Sequence, residues 1–163
     1  MGTIRILAPC LLLLGLLIQP APAEESRHVG TVLDGQGTAL VRPVGGQRWT
    51  PIGPRALLLP GDQVRTPKRG AHAVELRLAG GGRLVLGPGT LIEIPNAHGA
   101  RLYAGDLEAK GALTLTGPGD FARQGDGTVL LRAAGRVTKE LKSAPRWLAG
   151  YRNSSTDEWM GSL

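Results

Sequence analysis

The fold class of this 163-residue chain is indicated most clearly by residues 58–94, LLPGDQVRTPKRGAHAVELRLAGGGRLVLGPGTLIEI. Within it, Val74, Leu76 and Leu78 alternate with polar residues, so these apolar side chains fall on one face of a strand. Residues 80–82 are three glycines, which accept the positive φ that tight hairpin turns need. Because an apolar run follows directly, the stretch predicts an antiparallel hairpin.

A Pro-Gly corner recurs at residues 60–62, 88–90 and 118–120. Proline sets φ at the second position of a β-turn and glycine takes the positive φ at the third, which is a type II turn. An apolar run precedes each corner, and no long segment has a helical apolar stripe. The sequence therefore predicts an all-β fold, a compact β-sandwich or β-roll of short antiparallel strands with Pro-Gly corners. A solenoid is the alternative, since repeats of about 30 residues also occur there.

The first 23 residues are predicted to be a signal peptide that precedes the fold. Arg5 supplies a positive charge, residues 6–18 form an apolar run, and Ala21-Pro22-Ala23 offers small residues before a cleavage site. An uncleaved membrane anchor is the alternative, although a span needs about 20 apolar residues. We therefore expect an extracytoplasmic protein, located in the periplasm, in the cell envelope or outside the cell.

The rest of the chain divides into a β domain over residues 24–143 and a tail over residues 144–163. The predicted domain is long enough to bury one core. Cys10 is the only cysteine and lies within the predicted signal peptide. The mature chain is therefore expected to rely on packing without disulfides, and it has neither a thiol nucleophile nor a thiolate metal ligand.

Residues with catalytic potential lack the spacing of known motifs. His28, His72 and His98 do not have metal-ligand spacing, so surface histidines are expected. Several aspartates adjoin glycine, a position where they satisfy local backbone N–H groups. Asp62 and Asp120, if paired by the fold, would give a small carboxylate-pair hydrolase, which is a remote alternative without a motif. We predict a chain that is not an enzyme and uses neither cofactor nor metal.

The formal charge of the chain is +6 at pH 7. The arginines alternate with apolar residues along the predicted strands, which is typical of solvated strand faces. A nucleic-acid site would gather them with stacking aromatics, so no nucleic-acid partner is expected. Basic strand faces, including Arg77 and Arg83, carry an alternative hypothesis: the chain binds an anionic envelope polymer or a glycan.

An ordered set of short motifs runs from residue 30 to about residue 110. It begins with Gly-x-Val, continues with an apolar-x-x-Gly-Asp-x-Val-x-Thr corner and Gly-x-Ala-x-apolar-x-apolar, and ends with Leu-x-x-Gly-x-Leu. In this chain the pieces are GTV at 30–32, LLPGDQVRT at 58–66, GAHAVEL at 70–76, GRLVL at 82–86, TLIEI at 90–94 and LYAGDL at 102–107.

This ordered set resembles the FecR-like domain, an extracytoplasmic module named after a regulator of ferric-citrate uptake. The resemblance implies a β domain with a role in binding or signalling, and it makes Gly61, Asp62 and Thr66 structural turn residues of the family motif. The regulator has a cytoplasmic segment and a membrane span before this domain. Here the domain directly follows an apparent export signal, so the resemblance does not carry over a direct anti-sigma role.

The tail contains Trp147, Tyr151 and Trp159, three of the six aromatic residues in the chain. Large rings at this density bury against other groups. Two placements are open: the rings contact a partner, or they fold back onto the β core. Ser155 with Glu158 three residues later forms a capping box, which predicts that a helical turn starts at Ser155.

The tail also carries the motifs PRWLAGY at 145–151 and DEWMGSL at 157–163. These resemble the lead-in to a VIT (vault/inter-α-trypsin) domain, which in large bacterial proteins is often followed by a von Willebrand factor A domain. The resemblance implies that the tail links the β domain to a missing downstream domain of a larger envelope protein. Trp147, Tyr151 and Trp159 are then the expected interface with that domain or with a separate protein partner.

These observations together favour a non-catalytic extracytoplasmic module for binding, sensing or domain assembly.

Overall fold

The computed structural model describes residues 28–160, with side chains described for residues 28–154. The predicted signal peptide and the side chain of Trp159 therefore lie outside the described residues. The described elements are β1 (Gly30–Gln36), β2 (Ala39–Arg42), β3 (Thr50–Ile52), β4 (Leu57–Leu58), β5 (Asp62–Arg65), β6 (Ala73–Leu78), β7 (Arg83–Leu86), β8 (Leu91–Asn96), β9 (Gly99–Lys110), β10 (Leu113–Gly117), β11 (Phe121–Gly125), β12 (Thr128–Ala134), β13 (Val137–Glu140) and α1 (Arg146–Met160).

The all-β prediction is confirmed, because the described chain is mainly antiparallel strands with one short helix. The strands form a curled half-barrel with the order β3-β2-β5-β8-β9-β7-β6-β1-β4. Two hairpins, β10–β11 and β12–β13, join this sheet through β9. The β9–β10 pair is parallel, which differs from the predicted antiparallel arrangement. The order is not that of a solenoid, since strands distant in sequence pair with one another.

Strand β9 connects the two halves of the sheet. Its first half pairs with β8 and β10, and its second half pairs with β7 and β12. Gly105 lies between these halves with φ of 84°. A Cβ at this position would come within 2.5 Å of the Thr90 Cα atom and 2.6 Å of the Gly89 carbonyl oxygen. The change of partners along β9 therefore depends on a glycine.

One main hydrophobic core lies inside the curled sheet. The predicted alternation in β6 is confirmed, because Val74, Leu76 and Leu78 are buried in this core. The predicted hairpin is also confirmed: β6 and β7 are antiparallel, with Arg77 opposite Arg83 before the glycine turn. The outward side chains of these strands are mostly polar, as expected for alternating strands.

The Pro-Gly corners have the backbone geometry that the turn prediction requires. Gly61, Gly89 and Gly119 have φ values of 86°, 70° and 76°. At the first corner, the Asp62 N–H donates to the Leu59 carbonyl at 3.1 Å, which closes a four-residue turn.

The helix starts earlier than the sequence predicted. Helix α1 begins at Arg146, so Ser155 lies inside it rather than at its start. Pro145 directly precedes the helix, and its carbonyl accepts a hydrogen bond from the Leu148 N–H at 3.0 Å. The capping box at Ser155 therefore does not mark the start of the helix. Among the described residues, no helix combines the length and apolar character needed to cross a membrane.

Candidate functional site

Helix α1 lies on the outer face of the sheet and forms a second, smaller apolar cluster there. Leu148 is 0% exposed and Tyr151 is 5% exposed. They pack with Ala73 of β6 and Val85 of β7, and Trp147 joins the cluster. The described part of the tail therefore packs on its own β domain, which is one of the two placements left open by the sequence. A partner interface at Trp147, Tyr151 and Trp159 remains a prediction.

The strands beneath α1 present carboxylates between apolar residues. The cross-strand register places Glu75 opposite Val85, and Val85 opposite Glu108. The Tyr151 hydroxyl donates to Glu75 at 3.2 Å, and Arg152 bonds to Glu108. The helix is thus attached to the sheet by polar contacts on both sides of its apolar contact.

A third carboxylate, Asp106, lies on the same outer face. The indole N–H of Trp147 donates to Asp106 at 3.3 Å. Arg132 donates two hydrogen bonds to the same carboxylate, at 2.7 and 2.6 Å, and Arg83 pairs with Glu75 at 2.6 Å. A bidentate pair of this kind has a fixed geometry. These carboxylates are therefore bound to cationic and aromatic donors that hold the helix and the strands together.

Burial raises the pKa of the Tyr151 hydroxyl, and the negative charges of Glu75 and Asp34 and the hydrogen bond to Glu75 raise it further, while Arg83 acts in the opposite direction. The folded chain therefore favours the neutral phenol. An unfolded tyrosine titrates near pH 10. The stabilisation from Tyr151 is complete below this pH and is lost as the pH rises toward its folded pKa.

We expect the free energy of unfolding to fall as the pH rises above about 10. Denaturant unfolding between pH 8 and strongly alkaline pH, followed by circular dichroism, measures this slope. Tyr151→Phe should remove most of it, whereas Tyr103→Phe should retain the part due to Tyr151. Equal alkaline slopes for the wild type and Tyr151→Phe would contradict the prediction.

The three residues of the first corner motif, Gly61, Asp62 and Thr66, lie on and beside β5. Gly61 is in the first Pro-Gly corner. Asp62 is 5% exposed, and its carboxylate accepts hydrogen bonds from the Leu59 N–H at 2.9 Å and the Val44 N–H at 3.4 Å. Both bonds are to backbone donors, so Asp62 orders the corner and an adjoining loop.

Thr66 connects two further turns from the end of β5. Its hydroxyl donates to the Gly87 carbonyl at 2.5 Å and accepts from the Thr90 N–H at 3.0 Å. The Thr90 hydroxyl in turn donates to the Asp106 carbonyl at 2.7 Å. The buried threonines therefore form a hydrogen-bonded chain from β5 to β9.

Asp62 and Asp120, the two aspartates considered as a catalytic pair, lie in different Pro-Gly corners. Asp120 is exposed with φ of 55° in the third corner, and Asp62 is bound to its own turn. His72 accepts a hydrogen bond from the Thr38 N–H at 2.9 Å. Within residues 28–160, no group of three or more His, Cys, Asp or Glu side chains is arranged to hold a metal ion.

A second surface of interest surrounds Trp49, on the outer side of β2 and β5. The guanidinium carbons of Arg65 and Arg42 lie 4.2 and 5.1 Å from the centre of the Trp49 ring. At these distances the ring attracts both cations. Arg42 also donates to the Gln63 side chain at 2.5 Å, which fixes its guanidinium group further.

The strand register extends this surface into a continuous polar row. Arg42 lies opposite Gln63, Gln63 opposite Glu93, Glu93 opposite Arg101, and Arg101 opposite Thr116. The row crosses five strands and is about 19 Å long at the usual strand spacing. We call the surface formed by this row together with Trp49 and Arg65 the Trp49 face.

Further contacts order the middle of the Trp49 face. The Tyr103 hydroxyl donates to Glu93 at 2.6 Å. Burial raises the pKa of Tyr103, and the hydrogen bond to Glu93 raises it further. An open cleft of about 330 Å³ lies beside this row, bounded by the loop after β2 and lined by residues that include Arg42, Gln63 and Glu93. This volume is within the range of small-ligand clefts.

The sequence did not identify the Trp49 face. Arg42, Trp49, Arg65 and Arg101 are spread over 60 residues, and only the pairing of β2, β5, β8 and β9 brings them together. Alternation within each strand indicated that these residues point outward. The sequence did not indicate the strand order, which brings them onto one face.

Comparisons with protein-family models, with curated proteins and with solved structures found no significant match to this chain.

Proposed function

We propose that this chain is a non-catalytic extracytoplasmic module of the FecR-like type, which acts in binding and domain assembly at the cell envelope. The observation that carries the proposal is the attachment of α1 to the outer face of the sheet. Leu148 and Tyr151 bury their side chains there, so the chain leaves the β domain along a defined path. A following domain or a protein partner contacting α1 would thus be positioned relative to a rigid sheet.

The state of the carboxylates supports a non-catalytic role. Asp62 accepts from backbone groups, Asp106 and Glu75 are paired with arginines and tail aromatics, and Glu93 accepts from Tyr103. A general acid or base must be within reach of a substrate proton. These groups instead connect strands, corners and the helix.

The envelope location rests on the predicted signal peptide and on the resemblance to the FecR-like domain. In this chain the corner motif contains two buried polar residues, Asp62 and Thr66. The assembly role is inferred from the docked helix.

Co-sedimentation of the purified chain with isolated bacterial envelopes tests this function. We expect the wild type to sediment with the envelopes without releasing soluble sugar or peptide. Leu148→Ala should reduce co-sedimentation and retain the far-UV circular dichroism of the β domain, because it loosens only the helix. Leu57→Ala is the matched control, since Leu57 is 61% exposed.

Two outcomes would overturn the proposal. Release of envelope fragments by the wild type would contradict a non-catalytic role. Undiminished co-sedimentation of Leu148→Ala, with α1 shown to be released by faster hydrogen exchange, would contradict the role of the helix.

A further inference from the structure

We infer that the Trp49 face binds an acidic polysaccharide that carries carboxylate groups at intervals along its chain. This inference rests on the proposed function of the chain as a binding module, and it names a ligand class and a surface separate from α1. The argument uses the charges, the order and the spacing of the side chains on this face.

The charges of the Trp49 face favour an anion. Arg42, Arg65 and Arg101 contribute three positive charges and Glu93 one negative charge, a net charge of +2 (3 − 1). Guanidinium groups bind carboxylates through paired hydrogen bonds of fixed geometry. Arg42 and Arg65 are already ordered by Trp49, so less side-chain entropy is lost when a ligand binds.

The polar row suits a sugar chain better than a uniformly charged polymer. Gln63 and Glu93 lie between Arg42 and Arg101 in the row, and each side chain can accept a hydrogen bond besides the one that it accepts from Arg42 or Tyr103. Sugar hydroxyls are donors for these acceptors, while carboxylates of the ligand meet Arg42 and Arg101. The row is about 19 Å long, which allows one extended chain to contact several residues at once.

A single-stranded nucleic acid is less well matched to the same surface. Its phosphates occur at every nucleotide, and Glu93 would repel those that cross the middle of the row. Nucleic-acid channels also provide aromatic rings for successive bases. The Trp49 face has one indole, and the hydroxyl of Tyr103 is bonded to Glu93.

Binding of the intact chain to hyaluronan oligosaccharides, in which every second sugar carries a carboxylate, tests the inference by titration calorimetry at low and moderate salt. Maltohexaose is the neutral comparison ligand and oligo-dT is the nucleic-acid comparison. The double variant Arg65→Gln/Arg101→Gln and the single variant Trp49→Ala should each weaken hyaluronan binding by at least about tenfold. The affinity of the wild type should fall as salt is added.

The matched control is Arg77→Gln/Lys110→Gln, which removes the same charge from exposed positions on β6 and β9, away from the Trp49 face. Its affinity should remain within about twofold of the wild type, because an effect of net charge alone would be shared by both double variants. Thermal unfolding of each variant separates loss of binding from loss of folding.

Five results would overturn the inference. The first is absence of hyaluronan binding by the wild type, and the second is equal weakening in both double variants. The others are equally tight binding of maltohexaose, tighter binding of oligo-dT than of hyaluronan at the same salt, and wild-type affinity of the folded Trp49→Ala variant. Envelope co-sedimentation that depends on Leu148 would then leave the proposed function standing, whereas loss of both kinds of binding would contradict both.

Discussion

Replacing Gly105 by alanine is expected to lower the free energy of unfolding by about 2–5 kcal/mol, which combines left-handed backbone strain with overpacking. Gly105 has φ of 84°, and its missing Cβ would lie 2.5 Å from the Thr90 Cα and 2.7 Å from the Thr90 nitrogen. These neighbours are backbone atoms, so a rotamer change cannot relieve the contact. The sheet would have to separate where β9 changes partners. Urea unfolding followed by far-UV circular dichroism measures the loss.

Gly45→Ala provides the matched control for this prediction. Gly45 has φ of 73°, and a Cβ there would meet nothing within 4 Å. Its replacement should cost only the left-handed strain, about 1–2 kcal/mol. Both variants reduce the entropy of the unfolded chain similarly, so the difference between them isolates the clash. Equal losses at the two positions would show that the close approach of β9 to Thr90 has no energetic consequence.

Replacing Thr66 by valine is expected to cost about 2–4 kcal/mol, because two buried backbone groups lose their partner. Thr66 is 4% exposed, and its hydroxyl donates to the Gly87 carbonyl and accepts from the Thr90 N–H. Valine has nearly the same shape, so the change removes the hydroxyl without opening a cavity. Chemical denaturation of the purified variant measures the effect.

Thr66→Ser separates the hydroxyl from the methyl group. Serine retains both hydrogen bonds and loses one methyl, which should cost about 1 kcal/mol. A serine variant less stable than the valine variant would contradict the assigned role of the hydroxyl. A cycle that combines Thr66→Val with Thr90→Val should show non-additive losses, since both side chains belong to one hydrogen-bonded chain.

The position of α1 gives the tail a structural role as well as a predicted interface. Tyr151 and Leu148 face the sheet, so a partner would contact other parts of the helix or the strand residues beside it. Arg152 and Trp147 connect the helix to Glu108 and Asp106 of β9. The domain boundary after residue 143 stays a prediction, and the packing of Leu148 and Tyr151 on Ala73 and Val85 is shared across it.

Local sequence patterns predicted much of the scaffold. The alternation Val74, Leu76 and Leu78 predicted the core face of β6, and the triple glycine predicted the β6–β7 hairpin. The Pro-Gly corners predicted the positive φ of Gly61 and its counterparts. These predictions succeeded because strand period and turn chemistry depend on residues close together in the chain.

The helix start could not be obtained in the same way. Ser155 and Glu158 match a capping box, yet the helix begins at Arg146. Leu148 and Tyr151 bury against Ala73 and other strand residues far away in sequence, and this tertiary contact outweighs the local cap signal. The strand pairings that supply the contact are absent from any local pattern.

The strands, the corners and the lack of recognisable catalytic motifs could be read from local sequence, because each depends on the chemistry of neighbouring residues. Which outward residues meet depends on the tertiary structure. The order β2-β5-β8-β9 brings Arg42, Trp49, Arg65 and Arg101 to one face, and α1 folds onto Glu75, Asp106 and Glu108. The physical reason is that alternation fixes the face of a side chain within its strand, whereas strand order and register depend on pairing between distant segments.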